Sequence, residues 1–95
     1  MIKRIVKLTF QPDQIDTFIQ IFEDSQPNIL AMPGCSHLEL WRAVDDSNVL
    51  FTYSYWESED DLNNYRQSDF FKATWAKTKA LFAERAEAWS VEVVG

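Results

Sequence analysis

The apolar residues of this chain switch between a spacing of two and a spacing of about 3.6. The order of those switches restricts the fold more than any other feature. Residues 2 to 10 alternate, with Arg4, Val6, Leu8 and Phe10 on one face and Lys3, Ile5, Lys7 and Thr9 on the other, so they read as a strand. Pro12 suits a first helical position, and Asp13 and Asp16 complement the positive end of a helix dipole. Ile15, Phe18, Ile19 and Phe22 then form one helical stripe. Pro27 predicts a break or kink, followed by a short helical piece through Met32 that Pro33-Gly34 closes. Residues 36 to 43 alternate again, with Leu38 and Leu40 against His37, Glu39 and Trp41. The turn formers Asp45-Asp46-Ser47-Asn48 join them to a further strand over 49 to 57, giving an antiparallel hairpin. Ser58 caps a helix whose first turn holds Glu59, Asp60 and Asp61, and Leu62 and Tyr65 face inward from it. Ser68-Asp69 opens a longer helix to about Glu87, with Phe71, Trp75, Thr78 and Phe82 in one stripe. Residues 88 to 94 form the last strand, with Trp89, Val91 and Val93 on one face. The order β-α-β-β-α-β predicts an α+β, ferredoxin-like domain: a four-stranded antiparallel sheet with the helices on one face.

Ninety-five residues make one domain, 1–95. At 46% hydrophobic and 15% aromatic the chain has too much apolar matter for a disordered segment. Its longest unbroken aliphatic run, Ile29 to Met32, is far short of the ~20 residues of a membrane helix. Charges interrupt the N-terminal Met-Ile-Lys-Arg-Ile-Val-Lys, no signal-peptide core follows, and a cytoplasmic location is expected. The net charge of −6 argues against nucleic acid and against an anionic membrane surface as partners. One cysteine and one histidine leave no intrachain disulfide and no self-contained zinc site.

The helices can cover only one face of such a sheet. The other face should then be polar, yet the third strand holds Val49, Phe51, Tyr53 and Tyr55 in one register and Leu50 and Trp56 in the other, and the last strand carries Trp89, Val91 and Val93 on one face and Val94 on the other. An uncovered apolar face of this kind marks an interface, so a homodimer with the two sheets packed face to face is expected.

Pro33-Gly34-Cys35 entering a strand, Glu39-Leu40-Trp41-Arg42, the Asp45-Asp46-Ser47-Asn48 turn, Tyr55-Trp56-Glu57-Ser58 and the following Asp61-Leu62, Tyr65, Ser68 and Phe71 together resemble the antibiotic biosynthesis monooxygenase (ABM) domain family. The resemblance runs over nearly the whole chain. It implies a ferredoxin-like subunit, a dimeric α+β barrel and a ligand pocket between helices and sheet in each subunit. The family includes cofactor-independent monooxygenases of polycyclic phenols, quinol monooxygenases, haem-degrading enzymes and proteins with no known reaction. The haem-degrading branch carries an Asn on the first strand, a Trp before the Ser-Asp pair and an iron-ligating His after the Lys-Ala pair. The matching positions here are Val6, Tyr65 and Trp75, so the axial ligand is missing.

Cofactor-free oxygenation needs an electron-rich phenol or enol, a dry aromatic slot and a group that favours the substrate anion. Tyr65, Phe70, Phe71 and Trp75 are the candidate helical wall of such a slot, with Tyr53 and Tyr55 as phenolic donors from the hairpin. His37 is the candidate base, as the one side chain that ordinarily titrates near neutral pH. Arg4 and Arg85 are candidates for an anionic substrate group, although a salt bridge is the expected role of Arg4. Cys35 is expected to be a small buried hydrophobe. The acidic runs are explained by a turn and a helix start. The expectation is a monooxygenase using no cofactor, acting on a small aromatic or quinol-like ligand. The alternative is a non-catalytic homodimeric ligand-binding or stress-response module of the same fold.

Overall fold

A computed structural model covers residues 1–95. Its elements are β1 (Ile2–Thr9), a single 3-10 turn (Pro12–Gln14), α1 (Ile15–Leu30), β2 (Cys35–Arg42), β3 (Val49–Trp56), α2 (Glu59–Arg66), α3 (Asp69–Lys79) and β4 (Glu87–Val91). The strands form one open antiparallel sheet in the order β2-β3-β1-β4. This is the ferredoxin-like plan, and the helices lie on one face of the sheet.

Register decides which side chains meet the helices. Ile5 pairs with Tyr53 on one side and Trp89 on the other, and Glu39 pairs with Tyr53. Side chains of directly paired residues share a face. The face away from the helices therefore holds Lys3, Ile5, His37, Glu39, Trp41, Phe51, Tyr53, Tyr55, Trp89 and Val91. The helix face holds Leu8, Leu38, Leu50 and Trp56, all buried, and they pack with Phe10, Phe18, Phe22, Ile29 and Leu62 into one core. A bulge in β2 between Cys35 and His37 is the local exception. The extra residue, Ser36, turns Cys35 to the core side while His37 stays on the other.

The helix joints follow the caps legible in the sequence. Ser58 Oγ accepts from Asp61 N at 3.2 Å and donates to the Asp61 carboxylate at 3.1 Å. Ser68 Oγ accepts from Phe71 N at 3.1 Å and donates to the Tyr65 carbonyl at 2.6 Å, which pins the end of α2 to the start of α3.

Two expected boundaries differ. α1 does not break at Pro27 but runs through it to Leu30. Pro27 and the residue four before it, Glu23, are both exposed, so water can satisfy the carbonyl that proline leaves without a donor. α3 stops at Lys79 rather than near Glu87. Residues 80 to 86 are drawn onto the end of β1 instead: Gln11 N donates to Leu81 O, Ala83 N donates to Thr9 O, and Phe10 and Phe82 form an isolated bridge. The Phe82 ring meets Phe10 at 5.4 Å and Trp75 at 5.6 Å, so core packing overrides the helix propensity of Ala83-Glu84-Arg85. The last strand accordingly covers 87–91, and its partner β1 ends at Thr9.

Candidate functional site

The helices do not close completely on the sheet. Between them lies a cavity of about 280 Å³, at the small end for ligand pockets. Six aromatic rings line it: Phe18 and Phe22 from α1, Trp56 from β3, Tyr65 from α2, and Phe71 and Trp75 from α3. Four of them form a continuous run. Trp56 stacks on Tyr65 at 5.0 Å, Tyr65 meets Phe71 edge-on at 5.1 Å, and Phe71 stacks on Trp75 at 5.8 Å. Such contacts favour defined ring planes along the wall.

The polar lining is sparse. Ser54 is buried, and its hydroxyl is occupied by the Trp56 indole N–H at 3.0 Å. The buried Thr78 hydroxyl is spent on the Thr74 carbonyl at 2.9 Å. Tyr65 also borders a smaller pocket with Met32, Pro33, Asp61 and Asn64. Burial pushes its phenol up to about 12, the nearby Cys35 thiol adding to the effect, so at neutral pH it is a proton donor and not a base.

Two cations complete the lining, Arg4 from β1 and Arg66 from the last turn of α2. Arg4 does not form the expected salt bridge. Its Nη1 donates to Ser90 Oγ on β4 at 3.0 Å, and the one ion pair that a Lys or Arg of the chain makes is Lys7–Glu87. Burial holds the Arg4 guanidinium below the usual arginine value, and the charge of Arg66 acts in the same direction.

The structure gathers Tyr65, Phe71 and Trp75 at one cavity wall. Phe70 turns away and packs against the core without lining the cavity. His37 and Tyr53 lie on the opposite face of the sheet, because their strands alternate and the cavity takes Leu38, Thr52 and Ser54 instead. There His37 Nε2 sits 2.6 Å from Glu39, which also accepts from Trp41 Nε1 at 2.8 Å. Trp41 stacks on Tyr53 at 4.4 Å, and the His37 ring meets Tyr55 at a tilt with centroids 4.6 Å apart. The Trp41 and His37 bonds hold the Glu39 carboxyl below its usual range. Arg85 is exposed and outside the cavity. Arg66 was not singled out by its sequence; the one signal was its place four residues after the inward-facing Leu62. No group of three or more His, Cys, Asp or Glu side chains converges to hold a metal ion. Trp75 stands on the cavity wall, and an indole offers iron no lone pair.

The profile of the antibiotic biosynthesis monooxygenase family matches residues 1–77. The chain belongs to that family. Solved structures agree with this ABM fold over nearly their whole length. A crystal structure of an antibiotic biosynthesis monooxygenase superposes with a TM-score of 0.91 at 16% identity, covering 100% of both chains. A conserved protein from Methanosarcina mazei Go1 gives 0.90 at 18% identity, covering 95% of this chain and 89% of that one. Rv0793 from Mycobacterium tuberculosis gives 0.89 at 16% identity, covering 99% and 95%. At such identities the likeness is one of fold alone. No curated protein matches this ABM chain. No helix in it is long and apolar enough to cross a membrane.

Proposed function

We propose that this chain is a cofactor-independent monooxygenase of the ABM type, acting on a small aromatic or quinol-like substrate held between helices and sheet. The observation that carries the reading is the 280 Å³ cavity walled by six aromatic rings. Planar rings bind there by stacking and by loss of wet apolar surface. The apolar lining disfavours water at the reacting carbon, and the guanidinium groups favour an anionic, electron-rich form of the substrate. In the oxygenation of an anthrone-type compound, one oxygen atom of O₂ becomes the new carbonyl. The other leaves as water with the two hydrogens of the oxidised carbon, so the substrate supplies all the electrons.

The same reading includes a homodimer. Trp41 is 38% exposed and Trp89 45% exposed on a sheet face that also holds Tyr53, Tyr55 and His37 in ring contact. A second copy of that face is its natural cover. His37 then belongs to the interface, and Tyr65, Phe71 and Trp75 to the substrate.

A second reading has its own support. No cavity side chain is a base near neutral pH: Tyr65 is pushed up to about 12 and the remaining ionisable groups are arginines. A non-catalytic ligand-binding module of the same fold needs no base. Oxygen uptake with a panel of hydroquinones and anthrones separates the two. Substrate-dependent uptake that Trp75→Ala abolishes supports the oxygenase; saturable binding with no uptake leaves the binding module.

A further inference from the structure

The cavity combines an aromatic wall with two guanidinium groups, and the chain gives neither of them a carboxylate. Of the nine Lys and Arg side chains only Lys7 has a carboxylate partner, Glu87, on the same pair of strands that carries Arg4 and Ser90. What sets Arg4 and Arg66 apart is that both line one apolar cavity. Arg4 is half-buried, faces the helices with Val6 and Leu8, and is anchored by one neutral hydrogen bond from Nη1 to Ser90. A guanidinium carries five N–H donors, so most of those on Arg4 are left over. Arg66 reaches the same cavity from α2 and holds no salt bridge. Two like charges at one apolar cavity, one of them partly desolvated, repel each other and lose hydration. An anion between them reverses both penalties.

We infer that Arg4 and Arg66 form an anion subsite, and that the ligand of this cavity is an aromatic carboxylate: a compact mono- or bicyclic body against Trp56, Tyr65, Phe71 and Trp75 with its carboxylate on the two guanidiniums. A carboxylate fits better than a lone phenolate. It presents two acceptor oxygens to planar donor forks, and guanidinium–carboxylate pairs are bidentate where geometry allows. Ser90 is a positioning residue, because it holds the Arg4 fork against the edge of β4. The inference rests on the cavity being the ligand site proposed above and adds the class of ligand.

Titration calorimetry with naphthoate and its uncharged isosteric amide, naphthamide, tests it. Naphthoate binds about 10-fold or more tightly than naphthamide, and the preference shrinks as salt is raised. Arg4→Gln and Arg66→Gln each remove most of that preference, with a larger loss for naphthoate than for naphthamide. Arg66 is exposed, so its replacement folds even if that of Arg4 does not. Equal affinity for the two compounds, or equal loss of both in Arg66→Gln, overturns the anion subsite and leaves the aromatic cavity standing. Absence of binding by both compounds overturns the subsite and the cavity reading together.

Discussion

Gly34 lies directly against Asp61: a Cβ built on the glycine would stand 2.6 Å from the Asp61 Cβ. The contact brings the loop before β2 onto the first turn of α2, and Glu57 N donates to the Gly34 carbonyl at 2.8 Å to seal it. Gly34 also has φ +84°, where a side chain is strained whatever the space. Gly34→Ala is expected to destabilise the domain by roughly 2–4 kcal/mol, from the left-handed backbone and the overlap together. Chemical denaturation measures it, with Gly95→Ala as a neutral control, since nothing lies within 4 Å of a Cβ there. Trimming Asp61 to alanine does not restore stability, because its Cβ is part of the overlap.

Trp56 is 1% exposed and spends its indole N–H on Ser54, itself buried. Ser54→Ala leaves that donor without a partner in the core. The expected loss is about 1–3 kcal/mol, read from a urea midpoint shift at unchanged slope. A variant as stable as the parent would show that the indole finds another acceptor.

Tyr65 makes stability fall in alkali. Its folded phenol is raised from 10.0 to about 12, so the contribution is fully present below pH 10, where folded and unfolded forms are both protonated. As pH rises past 10 the unfolded chain ionises first. Stability then falls until the folded phenol also ionises near pH 12, by about 2–3 kcal/mol in all. Tyr65→Phe removes this component. Denaturation midpoints of parent and variant should converge or cross between pH 10 and 12, and parallel curves would contradict the assignment.

The sheet face away from the cavity gives a separable prediction. Trp41 and Tyr53 stack there at 4.4 Å. For the parent, sedimentation equilibrium should give twice the 11.1 kDa of one chain. Trp41→Glu should shift that mass toward one chain, because a charge desolvated in an apolar interface opposes association. A parent that sediments as a single chain at micromolar concentration refutes the dimer.

Much of this was legible in the residues. The alternation of β1, β2 and β3 placed Leu8, Leu38 and Trp56 on the side opposite Lys3, His37 and Tyr55, because the strand period is fixed at two. Ser58 and Ser68 announced their helices, because an N-cap is a local hydrogen bond. Pro27 misled because the harm of a proline depends on whether water reaches the carbonyl it strands, and sequence does not give exposure. The end of α3 misled because Thr9 and Phe10, about seventy positions earlier in the chain, capture residues 81–83.

The sequence by itself determined the order of the elements, the two faces of each strand and the family, since these depend on periodicity and on caps within a few residues. Only the tertiary structure decided which aromatics share a cavity. Four candidates close in sequence divide into Tyr65, Phe71 and Trp75 inside it and Phe70 outside. It also decided that His37 stands across the sheet and that Arg4 and Arg66 line the same cavity. A strand or a cap follows from local backbone geometry, whereas a cavity is the space left where three helices and a sheet fail to close, and it takes its lining from all of them at once.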